Sequence, residues 1–300
     1  MTALLSRAAA AAALVIVAAS PAGAQQPKAF SSAARVEAAL GRKGAPQPDG
    51  ALKFAFPRGD MSVTVRGIAV KPGFALGSWV AFADVSAGEA MVMGDLVLAE
   101  SEVEDVMRAL QDGGVEPTAL HNHVLGETPR VMYMHIRAHG DAGAIATAIK
   151  TALSKTKTPL GPPAPPAAAP VELDTAGVAA AVGVTGKMNG PVYQVAVPRA
   201  EPITENGHPV PPSMGIATAI NFQPTGGGKA AITGDFVLRA SEVNPVAKAL
   251  RANGIDVTAI HSHMLDEDPR LYFMHFWANA DAVGLAKGLR AALDKTNSKK

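Results

Sequence analysis

The sequence predicts an α+β protein made of two tandem copies of one domain, each an antiparallel sheet with two helices packed on one face. Three observations predict it. The chain matches itself at an offset of 140 residues, and a Pro/Ala-rich segment separates the two matching stretches. Within each stretch, apolar periodicity groups strands ahead of a helix and then a hairpin ahead of a second helix, without strict β–α alternation.

The self-match is carried by particular residues. Gly94-Asp95-Leu96-Val97-Leu98 recurs as Gly234-Asp235-Phe236-Val237-Leu238, and Ser101-Glu102-Val103 as Ser241-Glu242-Val243. Phe56-Pro57-Arg58 is echoed by Val197-Pro198-Arg199 at an offset one residue longer. The stretches His121–His135 and His261–His275 are identical at eight of fifteen positions, the three histidines among them. Residues 28–155 are read as the first repeat, 156–170 as a polyproline-like spacer and 171–297 as the second repeat. At about 3.1 Å per residue the spacer reaches roughly 45 Å, enough for the copies to lie side by side about a pseudo-twofold axis.

The elements follow in order. Residues 1–24 carry one charge at Arg7, a short apolar run from Ala8 to Ala19 and a small-x-small ending at Ala22-Gly23-Ala24, the order of a cleavable secretory signal. The run is short of the roughly 20 residues that cross a bilayer, so a soluble periplasmic or secreted protein without stable membrane insertion is expected after cleavage near Ala24. In the first repeat, Leu52–Phe56 and Ser62–Arg66 alternate as early strands, and Trp79–Val85 pairs with Ala90–Leu98 across a turn at Gly88. Ser101 and Glu104 form a capping-box pattern ahead of a helix with Val103, Val106, Met107 and Leu110 inward, ended by Gly113-Gly114. In the second repeat Asn244-Pro245 offers its own helix start. The histidine hairpin turns at Gly126–Pro129, and a last helix runs from Asp141 with Ile145, Ile149 and Leu153 inward.

Composition narrows the function classes. There are no cysteines, so disulfides, a lipid-anchored cysteine and a thiol nucleophile are all excluded. Without Arg7 the chain carries 26 basic and 26 acidic residues, so no net field favours nucleic acid or an anionic membrane. Aromatic residues make up only 5%, too few for a stacking platform. No Gly-x-Ser-x-Gly elbow occurs, His121-Asn122-His123 is no nuclease signature, and Gly226–Lys229 lacks the rest of a phosphate-loop spacing and reads as a turn.

The chemistry is concentrated in the hairpins, which hold six of the eight histidines. Residues two apart on a strand share a face, so His121 and His123 point together. A turn centred near Glu127 sets Tyr133 opposite His121 and His135 opposite Ala119, bringing all four side chains to one face, with Leu120, Val124, Met132, Met134 and Ile136 on the other. The second hairpin repeats this with His261, His263, Phe273 and His275, backed by Ile260, Met264, Tyr272, Met274 and Phe276.

Three imidazoles and a carboxylate make a metal set in each repeat: His121, His123, His135 with Glu127, and His261, His263, His275 with Glu267. Zinc suits it first; copper, nickel, iron and manganese also fit. Arg130, Tyr133 and Arg270 stand by as candidate donors to a bound small ligand. Asp95 and Asp235, each after a glycine, are candidate partners that orient a histidine, or alternatively serve a turn. Two further readings stand beside metal: a metal-free polar or acid–base site, and histidines that hold the hairpin together through Arg130, Asp95 or backbone. The rival function is a metal-free envelope module that binds a peptide or cell-wall component.

The spacing His-x-His-x3-Glu resembles the first metal motif of cupins, over those seven residues and as chemical analogy only. The layout as a whole, through the two hairpins with Gly94-Asp95-Leu96 and Gly234-Asp235-Phe236, resembles the LppY/LpqO-like exported bacterial proteins. That resemblance implies an exported, duplicated, histidine-rich domain of unknown function. The family's named members are lipoproteins, whereas this chain has no lipobox cysteine.

Overall fold

The computed structural model describes residues 28–161 and 172–299. The expected signal segment at 1–24 lies outside the described residues, as does most of the spacer at 156–170. The first repeat runs α1 (Ala33–Leu40), β1 (Ala45–Pro46), β2 (Leu52–Pro57), β3 (Gly77–Ser86), β4 (Glu89–Ala99), α2 (Val103–Asp112), β5 (Glu116–His121), β6 (Val131–Asp141) and α3 (Ala142–Leu153). The second repeats it as α4 (Thr175–Val182), β7 (Lys187–Asn189), β8 (Val192–Pro198), β9 (Ala217–Gly226), β10 (Lys229–Leu238), α5 (Ala240–Ala252), β11 (Asp256–His261), β12 (Tyr272–Asp281) and α6 (Ala282–Leu293). Each repeat forms a six-stranded antiparallel sheet, ordered β1-β2-β3-β4-β6-β5 and β7-β8-β9-β10-β12-β11.

The expected α+β class is what forms, with an additional helix in each repeat, α1 and α4, packed against α3 and α6, and a one-turn helix at Pro72–Ala75 in the first. Their short, Ala-rich sequences bury only Val36 and Leu40, or Val178 and Val182, too few positions to show a helical stripe. Ser62–Arg66 shortens to Thr64–Val65 and leaves the main sheet for a three-stranded ribbon with 68–69 and 127–128; a matching ribbon joins 204–205, 208–209 and 267–268.

The helix starts also differ from the capping-box expectation. A 3₁₀ turn, Glu100–Glu102, precedes α2, and the carboxylate that caps it belongs to Glu102, which accepts the Ala99 N–H at 2.9 Å. Glu242 likewise accepts from Arg239 at 2.7 Å, so α5 begins at Ala240 and runs through Pro245, which does not start it. Both glutamates serve a second purpose that explains the repeated Pro-Arg. The Arg58 guanidinium, buried, donates to Glu102 at 2.7 Å, to Asp60 at 2.8 Å and to the Val97 carbonyl at 2.7 Å. Arg199 makes the same clamp with Glu242, Glu201 and Val237.

Each sheet is covered on both faces. On one, Val36, Val106, Ile149 and their helical neighbours pack against Phe54, Phe82, Leu96, Met134 and Ile136, and the second repeat builds the same core around Phe222, Phe236 and Phe276. The other faces meet each other. Ala81, Met91 and Met93 pack against Ile216, Val237, Met264 and Phe273 in one apolar cluster. Val65, Val97, Val131 and Tyr133 pack against Val192, Ala231 and Trp277 in another. The molecule is thus layered helix, sheet, sheet, helix, which is why β4 reads as a near-continuous apolar strand.

Thr118 Oγ1 donates to the His263 carbonyl at 2.6 Å, and its counterpart 140 residues on, Thr258, donates to the His123 carbonyl at 2.5 Å. These reciprocal bonds make the relation between the repeats a pseudo-twofold one.

The clamp supplies a stability prediction. Removing one partner of a buried ion pair strands the other charge, at a cost of about 3–5 kcal/mol. Arg58→Ala is therefore expected to lower unfolding stability by about that amount in urea titration, and Arg199→Ala similarly. A loss within the few tenths of a kcal/mol usual for surface substitutions would refute the clamp.

Candidate metal centre

The hairpin register forms as the sequence implies: His121 pairs with Tyr133 and Ala119 with His135, and His261 with Phe273 and Ala259 with His275. Met132, Met134 and Ile136 turn to the helices. Four residues of the supposed apolar face behave otherwise. Val124 and Met264 lie beyond the paired strands and curl into the inter-sheet clusters, while Leu120 and Ile260 are exposed on edge strands.

The histidine faces of the two repeats are the faces that meet. Three rings of the first repeat meet three of the second: His121 stacks on His261 with centroids 3.7 Å apart, His135 stacks on His263 at 3.7 Å, and His123 lies tilted against His275 at 3.9 Å. His121 and His261 are counterparts, so the pseudo-twofold axis passes between them. The histidines that the sequence divides into one set per repeat lie together in one cluster, in which two possible ligand groups stay within a repeat and two span both. The Tyr133 ring stacks on His123 at 3.4 Å, and Phe273 on His263 at 3.5 Å.

The carboxylates that join the histidines are Asp95 and Asp235. Each lies mid-strand, on β4 or β10, directly across from His135 or His275. Asp95 Oδ2 is 3.3 Å from His123 Nε2, and Asp235 Oδ2 is 2.8 Å from His263 Nε2, both without hydrogen-bond alignment. The glycine before each has a steric reason: a Cβ on Gly94 would sit 2.7 Å from the Trp79 carbonyl, and one on Gly234 would collide with that of Ala219. Four overlapping groups have ligand atoms within 4.8 Å of one another: His121/His135/His261, His121/His123/His275, Asp95/His123/His135 and Asp235/His261/His263.

Glu127 and Glu267 join none of these groups. Their Oε1 atoms accept the backbone N–H of Val131 at 3.2 Å and Leu271 at 2.9 Å, bracing the turns. Arg270 bonds the Met264 and Leu265 carbonyls and Glu267, and Arg130 is exposed. The Tyr133 hydroxyl donates to the Ala75 carbonyl at 2.9 Å, so its ring faces the cluster and its donor does not.

The protonation chemistry is distinctive. Nδ1 of His121, His263 and His275 lies 3.0, 3.2 and 2.7 Å from the carbonyls of Asn122, Gly215 and Gly234. A carbonyl only accepts, so Nδ1 carries the proton and, in the neutral ring, Nε2 keeps its lone pair. Nε2 of all six histidines is buried with no hydrogen-bond partner, as are Asp95 Oδ1 and Asp235 Oδ1. Burial drives the imidazoles of His123, His135 and His275 well below their ordinary range, aided by repulsion between neighbouring rings. Burial also lowers His261, lowers His263 to about 3, and raises Asp235 to about 6. Neutral imidazoles with inward lone pairs are the form that binds a metal.

Fold and site together define a class: a duplicated α+β module closed sheet to sheet over a shared histidine cluster. The chain belongs to the family described as Domain of Unknown Function (DUF1259), which matches it twice, at residues 34–155 and 176–295. No curated protein matches the chain. Among solved structures it is similar to the trimeric bacterial microcompartment shell protein PduB at 12% identity, over 82% of this chain and 87% of that one. The TM-score is 0.19, too low to place the two in one fold.

The shifts set a sign for stability against pH. A histidine held below its unfolded value, near 6.5, gains a proton more readily when unfolded, so its contribution is full above that pH and lost as pH falls. Asp235, raised to about 6, Glu127, raised to about 7, and Glu267, also raised by burial, act oppositely, but as three carboxyls against five histidines. Metal-free protein is expected to melt at steadily lower temperature from about pH 7 to about pH 5. A flat profile in thermal melts would contradict neutral, buried imidazoles.

Proposed function

We propose that the protein is an exported transition-metal-binding protein in which both repeats contribute ligands to one closed centre. The observation that carries this is the convergence of six buried, unpartnered imidazole nitrogens between two apolar clusters. An unsatisfied buried polar group costs about 1–3 kcal/mol, a cost that a metal would remove for every ligand it takes. His121, His123, His135, His261, His263 and His275 would hold the metal, with Asp95 and Asp235 as further ligands or as partners that orient the rings. Zinc fits best because it favours imidazole and closed, structural coordination; copper, nickel, iron and manganese are the other ions to test. Export to the periplasm is supported by the signal-type segment at residues 1–24 and by the likeness to LppY/LpqO-like proteins.

Bound metal would add stability by mass action, about 2.7 kcal/mol at a hundredfold excess over Kd. Untagged protein purified from the periplasm is expected to contain a stoichiometric transition metal by elemental analysis and to melt at lower temperature after chelation. His121→Asn/His261→Asn should lose the metal and the chelator effect together. The proposal fails if native protein carries no metal and stripped protein takes up none of the five ions. If the substitutions then still lower the melting temperature, the histidines serve the fold alone.

A further inference from the structure

The two halves of the inter-repeat interface ought to be alike, and on one side they are not. Around the ribbon of the first repeat, Val65, Ile68 and Trp277 belong to an apolar cluster or pack against it. Their counterparts 140 residues away are Glu205, His208 and Arg137, and the counterpart of Asn279 is His139. Duplication has therefore left one half-interface apolar and filled the other with ionisable groups.

Glu205 is fully buried. Its Oε1 accepts from Arg137 at 3.1 Å, but its Oε2 has no hydrogen-bond partner and lies 3.6 Å from His139 Nε2. His208 is the direct cross-strand partner of Glu205, so the two side chains leave the ribbon on one face. The His139 and His208 rings are 6.1 Å apart and both line an open cleft of about 280 Å³ with Glu89 on its wall. Arg137 is already committed to Glu116 at 2.7 Å and Asp266 at 2.6 Å as well as to Glu205. Glu267, also buried, stands directly across from Glu205. Carboxylates thus outnumber the two arginines, Arg137 and Arg270 on Glu267, a balance that attracts a cation and repels an anion.

We propose that Glu205, His139 and His208 form a second transition-metal site, open to the cleft and present in only one half of the interface. Two imidazoles and a carboxylate are a recurrent ligand set, and the cleft side leaves a position for water or an incoming ligand. The site shares no residue with the closed cluster, so it stands or falls independently of it.

Cobalt(II) titration of metal-stripped, full-length mature protein, followed by calorimetry and visible absorption, tests this. Wild type is expected to bind one equivalent more than His139→Ala/His208→Ala, whose substitutions fall on the wall of the open cleft, while His121→Asn/His261→Asn keeps that equivalent. Glu205→Gln, nearly isosteric, should weaken the same equivalent and no other. Identical cobalt uptake by wild type and His139→Ala/His208→Ala, including no uptake by either, overturns the proposal.

Discussion

Everything in this molecule turns on what happens when two sheet faces bearing histidines close on each other. A sheet face that carried only Val, Met and Phe would dock by the hydrophobic effect alone. Here the flanks do so, but the centre holds six imidazoles and two aspartates cut off from water. At about 1–3 kcal/mol for each unsatisfied group, six of them rival the roughly 5–15 kcal/mol by which a whole domain is stable. The surrounding structure is organised to bear that load. Carbonyls fix the tautomers of His121, His263 and His275, Tyr133 and Phe273 brace His123 and His263 by stacking, and the threonine pair ties the hairpins across the axis.

The pseudo-symmetry gives a second way to read the interface. Where both copies keep a residue, as in the Arg58 and Arg199 clamps, the residue does the same thing twice. Where they diverge, the difference marks a local job. Val65 and Trp277 seal one flank with apolar surface; Glu205 and Arg137 occupy the same places on the other and need hydrogen bonds or ions to be buried at all. A duplicated chain thus provides its own control, because the apolar version of each position shows that the fold does not require the polar one.

Much of this was legible in the sequence, for definite physical reasons. Strand pairing has period two and a hairpin fixes its own register, so the pairing of His121 with Tyr133 and of Ala119 with His135 follows from the turn. The carboxylate was less legible. Glu127 is closer in sequence to the histidines, yet it is spent on the Val131 N–H, whereas Asp95 reaches them through the pairing of β4 with β6, a long-range contact. The repeated Gly-Asp was the available signal, since a glycine inside a strand marks close backbone approach. The union of the two clusters was not legible, because a spacer of roughly 45 Å reach is compatible with many arrangements. Helices α1 and α4 escaped because each buries only two side chains.

A metal shared between repeats would have a consequence that separate sites would not. Each repeat owns a core behind its sheet, and docking of the two sheets buries a further, shared set of residues. The spacer keeps the two histidine faces at an effective concentration far above that of free domains, so ligands from the second repeat reach a half-formed site without a bimolecular search. Metal affinity and docking free energy then become one quantity, as in any site absent from the undocked state. Stacked imidazoles repel when protonated, so acid opposes docking and metal binding through the same groups. The buried, inward-facing Nε2 atoms that make the metal-free interface costly are the ones that would make a metal-bound interface hard to open.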